Sequence, residues 1–191
     1  IFNWITAVSP PSYTRLQSNE TREREINVIE GSNITFNFEL QNSEDHLEIN
    51  LKSKNGIENM PYIKNKNQIS SNLIATEDQS MHIEVTNSEG FKKIYKNYVK
   101  WNVRKDSSPE IELLFPTQKF HIFEDGLLPL SINVKDDFGI KKIIIYSNQK
   151  ELKSLEKPST LSEKAFLSFS AKQINRPNPT SIEIACTDNN P

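Results

Sequence analysis

The side chains suited to metal binding are acidic and fall in two short segments. Asp136 and Asp137 begin the run Asp-Asp-Phe-Gly, and Asp188 is followed by Asn189 and Asn190. Calcium prefers carboxylate, carbonyl and amide oxygens, roughly six to eight around each ion. The three aspartates are therefore the candidate metal site, with calcium as the ion. The alternative is that these side chains form Asx turns and keep the loops soluble.

The single cysteine and the three histidines form no recognisable catalytic pattern. Cys186 lies on the same alternating face as Ile182 and Ile184, which favours a buried structural thiol. One cysteine makes neither an intrachain disulfide nor a thiolate zinc site. The histidines lie far apart and in no motif, at His46, His82 and His121. Because a nucleophile needs a base within reach, the sequence predicts no enzymatic activity, no catalytic residue and no cofactor.

Two tryptophans are the remaining candidates for a binding surface. Trp4 and Trp101 could stack on a sugar ring if both stood exposed side by side. However, Trp101 is in phase with Val99 and Val103, so it is expected on the buried face of a strand. Trp4 is expected to cover the N-terminal edge.

The composition excludes several classes of partner. The 191 residues carry a net charge of -2, with acidic and basic side chains spread evenly. There is no basic patch for nucleic acid or for an anionic membrane, and five glycines leave no Gly-rich phosphate loop. No apolar run is long enough to span a bilayer. We interpret the chain, which begins without Met or a signal peptide, as a segment of a longer protein.

Alternation of apolar and polar residues dominates the chain. Residues 33–40 place an apolar side chain at every second position, and residues 47–51 repeat the pattern before Asn55-Gly56, a typical hairpin turn. Segments of this kind recur at spacings of about 8–12 residues, as in β-sandwiches. No helix of three turns is expected. The sequence therefore predicts an all-β chain.

A polar stretch that ends at Pro109 separates two similar series of strands. We predict two consecutive immunoglobulin-like β-sandwich domains, residues 1–106 and 107–191. The second series contains about six strands where such a domain has seven, so we expect it to lack its last strand and to leave an unpaired edge. In this fold the loops after the second and sixth strands lie at one end. Asp136, Asp137 and Asp188 are therefore expected to converge.

Four short segments carry a resemblance to a known family. They are Val-Ser-Pro-Pro-Ser-Tyr-Thr at 8–14, the Glu-Gly-Ser-Asn-Ile-Thr run at 30–35, Asp-Asp-Phe-Gly-Ile at 136–140 and Thr-Asp-Asn-Asn-Pro at 187–191. They are similar to motifs of bacterial membrane-anchored envelope proteins of unknown function, in which transmembrane helices precede extracytoplasmic immunoglobulin-like domains. Arg15 stands where that family has Gly. The resemblance implies an extracytoplasmic location and brings no catalytic residue.

Together these observations predict a non-catalytic tandem module of a larger membrane-anchored envelope protein, located in the periplasm or at the cell surface. It is expected to act as a spacer or a protein-interaction region, with a protein partner that the sequence does not identify. No nucleic acid partner is expected, and the membrane is reached only through flanking segments. The alternative is a surface adhesin or ligand-binding module that depends on calcium at Asp136, Asp137 and Asp188. A third hypothesis is an accessory domain that binds polysaccharide.

Overall fold

The computed structural model describes residues 3–116, 123, 125–170, 172–174 and 181–188, with the backbone alone at 157–159. Four residues named in the predictions above lie outside these ranges: His121, Asn189, Asn190 and Pro191. The chain divides into two compact units, unit 1 (Ile1–Lys105) and unit 2 (Asp106–Pro191). The described residues form strands and one short 3-10 turn. The prediction of an all-β chain is confirmed.

Unit 1 contains ten strands and a 3-10 turn at Ser12–Thr14. The strands are β1 (Asn3–Ser9), β2 (Asn19–Thr21), β3 (Glu25–Ile29), β4 (Asn33–Glu39), β5 (His46–Ser53), β6 (Gly56–Asn59), β7 (Ile63–Asn65), β8 (Gln68–Ile74), β9 (Gln79–Thr86) and β10 (Lys92–Arg104). The alternation at 33–40 becomes β4, whose Ile34 and Phe36 are completely buried. The predicted hairpin joins β5 to β6, with Ser53 paired to Gly56.

The strands of unit 1 form two five-stranded sheets around one core. One sheet has the order β2-β1-β4-β8-β7, and the other has the order β3-β10-β9-β5-β6. The orders β1-β4-β8-β7 and β10-β9-β5-β6 correspond to the A-B-E-D and G-F-C-C′ sheets of an immunoglobulin domain. β3 pairs in parallel with β10. The core between the sheets includes Trp101, which is 0% exposed, so its predicted place in the core is confirmed.

The described residues of unit 2 form four strands. They are β11 (Glu110–Phe115), β12 (Leu127–Ser147), β13 (Lys150–Ser170) and β14 (Ile182–Asp188). The first half of β12 pairs with β11 and with the end of β13, and the second half pairs with β14 and with the start of β13. Residues of both halves, such as Ile132 and Ile145, belong to one buried cluster. The hairpin of β12 and β13 therefore bends so that both halves face one core.

Two details of the second series of strands differ from the prediction. The segment at 136–139 was expected to be a turn between two strands, but β12 runs through it with a local shift of register between Lys135 and Ile140. A proline usually argues against a strand interior, so Pro158 indicates a loop, but its backbone lies within β13. Among the described strands, β13 pairs with β12 alone and is an edge strand. Some backbone N–H groups of an edge strand face away from its neighbour, so proline, which has no N–H, is tolerated there.

The last described strand, β14, has β12 as its described neighbour. No described strand occupies its other edge, the position expected for the final strand of the second domain. Its inward-facing residues Ile182, Ile184 and Cys186 pack against the core but are only partly buried. Cys186 is thus half-buried rather than fully buried as predicted.

Candidate functional site

The structure places the three predicted aspartates around the bend of β12. Asp136 and Asp137 lie in the bend, and Asp188 ends β14, where it pairs with Ile140 just after the bend. Asp137 is exposed, whereas Asp136 and Asp188 are half-buried. We call these three residues and Asp106, described below, the acidic cluster.

The side chain of Asp136 is committed to the backbone of the bend. Its Oδ2 accepts the N–H of Phe138 at 3.0 Å and the N–H of Gly139 at 2.5 Å. Gly139 has φ of +119°, a conformation that glycine adopts without strain. The other oxygen, Oδ1, is buried and has no hydrogen-bond partner among the described residues. Asp136 therefore forms the Asx-type turn that was the alternative to a metal site.

Asp106 joins this cluster, although no local sequence pattern signals its position there. Burial raises the pKa of its carboxyl group, followed by the approach of Asp137 and the negative charges of Asp188 and Asp136. Both oxygens of Asp106 are buried without a donor among the described residues. Burial and the surrounding negative charges therefore make the carboxyl group of Asp106 a weaker acid than that of a free aspartate.

The cluster also affects the thiol of Cys186. Burial, with the charges of Asp136 and Asp188, raises the pKa of Cys186 to about 11. Since the thiolate is the reactive form, the raised pKa lowers the fraction of reactive thiolate at neutral pH. Within the described residues, no group of three or more His, Cys, Asp or Glu side chains is arranged to hold a metal ion. Calcium at Asp136, Asp137 and Asp188 remains a prediction.

The two described histidines lie apart in unit 1. His46 contacts Glu48 at 3.7 Å on the surface, and Nε2 of His82 lies 3.4 Å from Oγ of Ser80. Burial lowers the pKa of His82, and the charge of Lys52 lowers it further. In a catalytic triad an acidic group orients the imidazole and stabilises its charged form. The groups that act on His82 are basic or neutral, so this Ser–His contact lacks that feature.

The tryptophans do not form a sugar platform. Trp101 is completely buried, with its ring centroid 5.6 Å from that of Phe36. Trp4 is half-buried and meets Tyr98 edge-on at 5.4 Å. A sugar ring cannot reach the buried Trp101, so the hypothesis that a sugar stacks on Trp4 and Trp101 together is wrong.

A groove that the sequence did not predict lies on the outer face of one sheet of unit 1. The groove has a volume of about 370 Å³ and spans β1, β4, β8 and β7. Across these four strands the register aligns two rows of outward side chains, which are Asn3, Glu39, Gln68 and Asn65 in one row and Ile5, Asn37, Ser70 and Ile63 in the next. We call it the amide groove. The sequence pattern that could have indicated this groove is the set of polar positions in the alternating strands.

The amide groove carries amide side chains and one carboxylate, Glu39, so its chemistry suits a polar ligand without negative charge. Asn and Gln amides both donate and accept hydrogen bonds, and Ile5 and Ile63 add apolar surface. The groove ends at β7, whose residues are all exposed. Among the described strands β7 pairs with β8 alone. Its outer edge therefore offers backbone N–H and C=O groups to an added strand.

Comparisons with known proteins give no family. No family model matches the chain, and no curated protein matches it. Among solved structures, the fibronectin(III)-like modules of Clostridium thermocellum CbhA align over 86% of this chain and 89% of theirs, with 8% identity and a TM-score of 0.29. The ICAM-5 D1–D4 ectodomain fragment aligns over 88% of this chain and 41% of that chain, with 9% identity and a TM-score of 0.33.

The part of the chain that the structure describes holds no helix with the length and hydropathy needed to cross a membrane. The immunoglobulin-type assignment rests on the strand order of unit 1, in which both sheets follow the expected sequence of neighbours.

Proposed function

We propose that the chain is a non-catalytic tandem module in the extracytoplasmic part of a membrane-anchored bacterial envelope protein, acting as a spacer or a protein-interaction region. The location is supported by the motif resemblance at 8–14, 30–35, 136–140 and 187–191. The non-catalytic role is supported by the sandwich architecture and by the raised pKa of the half-buried Cys186 thiol.

The observation that carries the interaction role is the amide groove and its open edge at β7. An extended segment of a partner protein can pair with β7 through its backbone, and its side chains then lie over the groove. Ile63 is 76% exposed at this edge. It is therefore the residue that an added strand would cover first.

Site-specific photocrosslinking in intact cells tests this role. A photoreactive phenylalanine analogue replaces Ile63 in the full-length protein, and the matched control replaces Ile57, which is 68% exposed on the edge strand β6 of the other sheet. We expect one discrete crosslinked product from position 63 and none from position 57. Equal crosslinking from both positions, or none from position 63, would contradict an interaction through β7.

The location is tested by thiol labelling of the full-length protein. Lys66 lies in an exposed turn, so K66C in a C186S background presents one accessible thiol. A membrane-impermeant maleimide should label it in intact spheroplasts. Labelling only after lysis would contradict the extracytoplasmic location.

One observation favours calcium-dependent ligand binding as a second candidate. Three carboxylate oxygens of Asp106 and Asp136 are buried without a donor among the described residues, and a cation would compensate them. The non-catalytic spacer predicts identical thermal melts in calcium and in chelator. A ligand at 100 times its dissociation constant adds about 2.7 kcal/mol, so a rise in midpoint that D188N abolishes would favour the second candidate.

A further inference from the structure

Unit 2 carries a sheet face that points away from its core. Leu130, Ile132 and Val134 of β12 point inward, so the alternate residues point outward. Across β11, the first half of β12 and the second half of β13, the register aligns three rows. We call this surface the outer face of unit 2; its residues are Glu110, Lys135 and Ser162 in the first row, Glu112, Asn133 and Lys164 in the second, and Phe115, Ser131 and Phe166 in the third.

The two outer positions of the third row are exposed phenylalanines. Phe166 is 78% exposed and Phe115 is 39% exposed. They flank Ser131 from the two neighbouring strands, about 10 Å apart. A depression of about 410 Å³ lies between and beside them. Because an aromatic side chain buries about 150–250 Å² when it is covered, this row gains by contact with another apolar surface.

The second row holds a buried polar group without a partner. Asn133 is only 6% exposed, and its Nδ2 donates to Oε2 of Glu112 at 3.2 Å. Its Oδ1 has no hydrogen-bond partner among the described residues. Such atoms are normally hydrogen-bonded in folded proteins. The described ion pairs, closer than 4.0 Å, involve neither Glu112 nor Lys164.

The outer face is complementary to itself. A two-fold axis along β12 exchanges the positions of β11 and β13. This operation sets Glu112 of one copy against Lys164 of the other, and it does so twice. It also brings Phe115 against Phe166 and places the two Asn133 residues opposite each other on the axis. The axis also sets Lys135 of one copy against Lys135 of the other, which is the one like-charged contact in the three rows. Glu110 lies beside Lys135 in the same row.

We propose that the outer face of unit 2 binds the same face of a second copy of this chain, forming a two-fold symmetric dimer. The contact is isologous, as in most homodimers. Three short rows cover less surface than a standard interface of about 800 Å² per partner. The dimer is therefore reversible and weak, and its population depends on protein concentration.

Sedimentation velocity of the whole chain from about 10 µM to 1 mM, the range of weak complexes, tests the proposal. The wild-type chain should shift from monomer to dimer with rising concentration. F166S should weaken the dimer at least about tenfold, whereas F91S, which changes a 71% exposed phenylalanine of unit 1, should leave it unchanged. Circular dichroism confirms that both variants fold, since both side chains are exposed.

A charge exchange tests the orientation. K164E places two like-charged pairs across the axis and should abolish the dimer, and E112K combined with K164E should restore it because each copy again offers opposite charges. A chain that is monomeric throughout the range would overturn the proposal. So would a dimer that F166S leaves intact, a dimer that F91S weakens as much, or a double variant that stays monomeric.

Discussion

Asp136 offers a test of whether the bend of β12 is held by hydrogen bonds or by charge. Its Oδ2 accepts the backbone N–H groups of Phe138 and Gly139, and both residues are buried. D136A removes the acceptor and leaves two buried donors unpaired. D136N keeps an oxygen in the same place and removes only the negative charge.

The two variants should differ by a measurable amount. A hydrogen bond to a charged group contributes about 1.5–3 kcal/mol. Because both donors share one oxygen on a half-buried side chain, we expect D136A to lower the free energy of unfolding of unit 2 by about 2–3 kcal/mol in total. In a domain of this size that lowers the midpoint by roughly 10–20 °C.

D136N should leave unit 2 as stable as the wild type, within about 0.5 kcal/mol, or slightly more stable. The reason is that the amide oxygen still accepts hydrogen bonds, whereas the negative charge that acts on Asp106 and Cys186 disappears.

The two units can be followed separately. Both tryptophans, Trp4 and Trp101, lie in unit 1, so tryptophan fluorescence reports on unit 1, and calorimetry reports on both. We expect D136A to move one calorimetric transition and to leave the fluorescence transition in place. The control E151A changes an exposed acidic residue of unit 2 and should move neither.

Two results would refute this reasoning. An unchanged midpoint for D136A would mean that the two hydrogen bonds do not stabilise the bend. An equal loss in D136A and D136N would mean that the carboxylate charge itself is needed, as it would be for a bound cation.

Three further predictions concern the cluster and the core. The pKa of Asp106 is raised above its ordinary value of 3.8, so between 3.8 and the raised pKa the folded state binds more protons than the unfolded state. The stability contributed by this group therefore falls as the pH rises through that window. Urea unfolding should show this fall in the wild type relative to D106N, and parallel curves would contradict it. With a pKa of about 11 against an ordinary 9.0, Cys186 should react with iodoacetamide at pH 8 about a hundredfold more slowly than in urea, as followed by mass spectrometry; equal rates would show an accessible thiolate. W101A should lower the free energy of unfolding of unit 1 by about 3–5 kcal/mol in circular dichroism melts, with the exposed Ile57→Ala as the control that should change little.

The strands of unit 1 were accessible to sequence reasoning because their pattern is local. Residues 33–40 alternate strictly, and a half-buried strand needs that pattern. The buried place of Trp101 followed from the same period. The short edge strand β7 was missed because an exposed strand buries nothing and leaves no apolar alternation.

Unit 2 was less predictable because its strands are defined by their partners. β13 continues through Pro158 because the residues on either side, Glu156 and Thr160, pair with Lys142 and Ile140 of β12, and nothing near Pro158 in the sequence signals that pairing. The bend of β12 carries turn-forming residues, yet the ladder resumes directly after it. Tertiary pairing overrides local propensity in such segments.

The acidic cluster shows the same division. The position of Asp188 near the bend follows from the general arrangement of loops in a sandwich. Asp106 joins the cluster through the path of the chain between β10 and β11, which no local pattern specifies. The amide groove was missed because outward polar side chains on strands are ordinary, and only the register shows that they align.

The parallel pairing of β3 with β10 has a mechanical consequence for a spacer. β3 lies near the start of unit 1 and β10 at its end, with Glu25 beside Lys100 and Ile29 beside Arg104. A pulling force applied along the chain draws β3 from its first residue and β10 from its last, and in a parallel pair these points lie at opposite ends. The load is then shear, shared by all the hydrogen bonds of the pair at once, whereas an unzipping load would break them one by one. The ion pair between Lys100 and Glu25, at 2.9 Å, adds a further cross-link where the force enters, so unit 1 is built to resist extension.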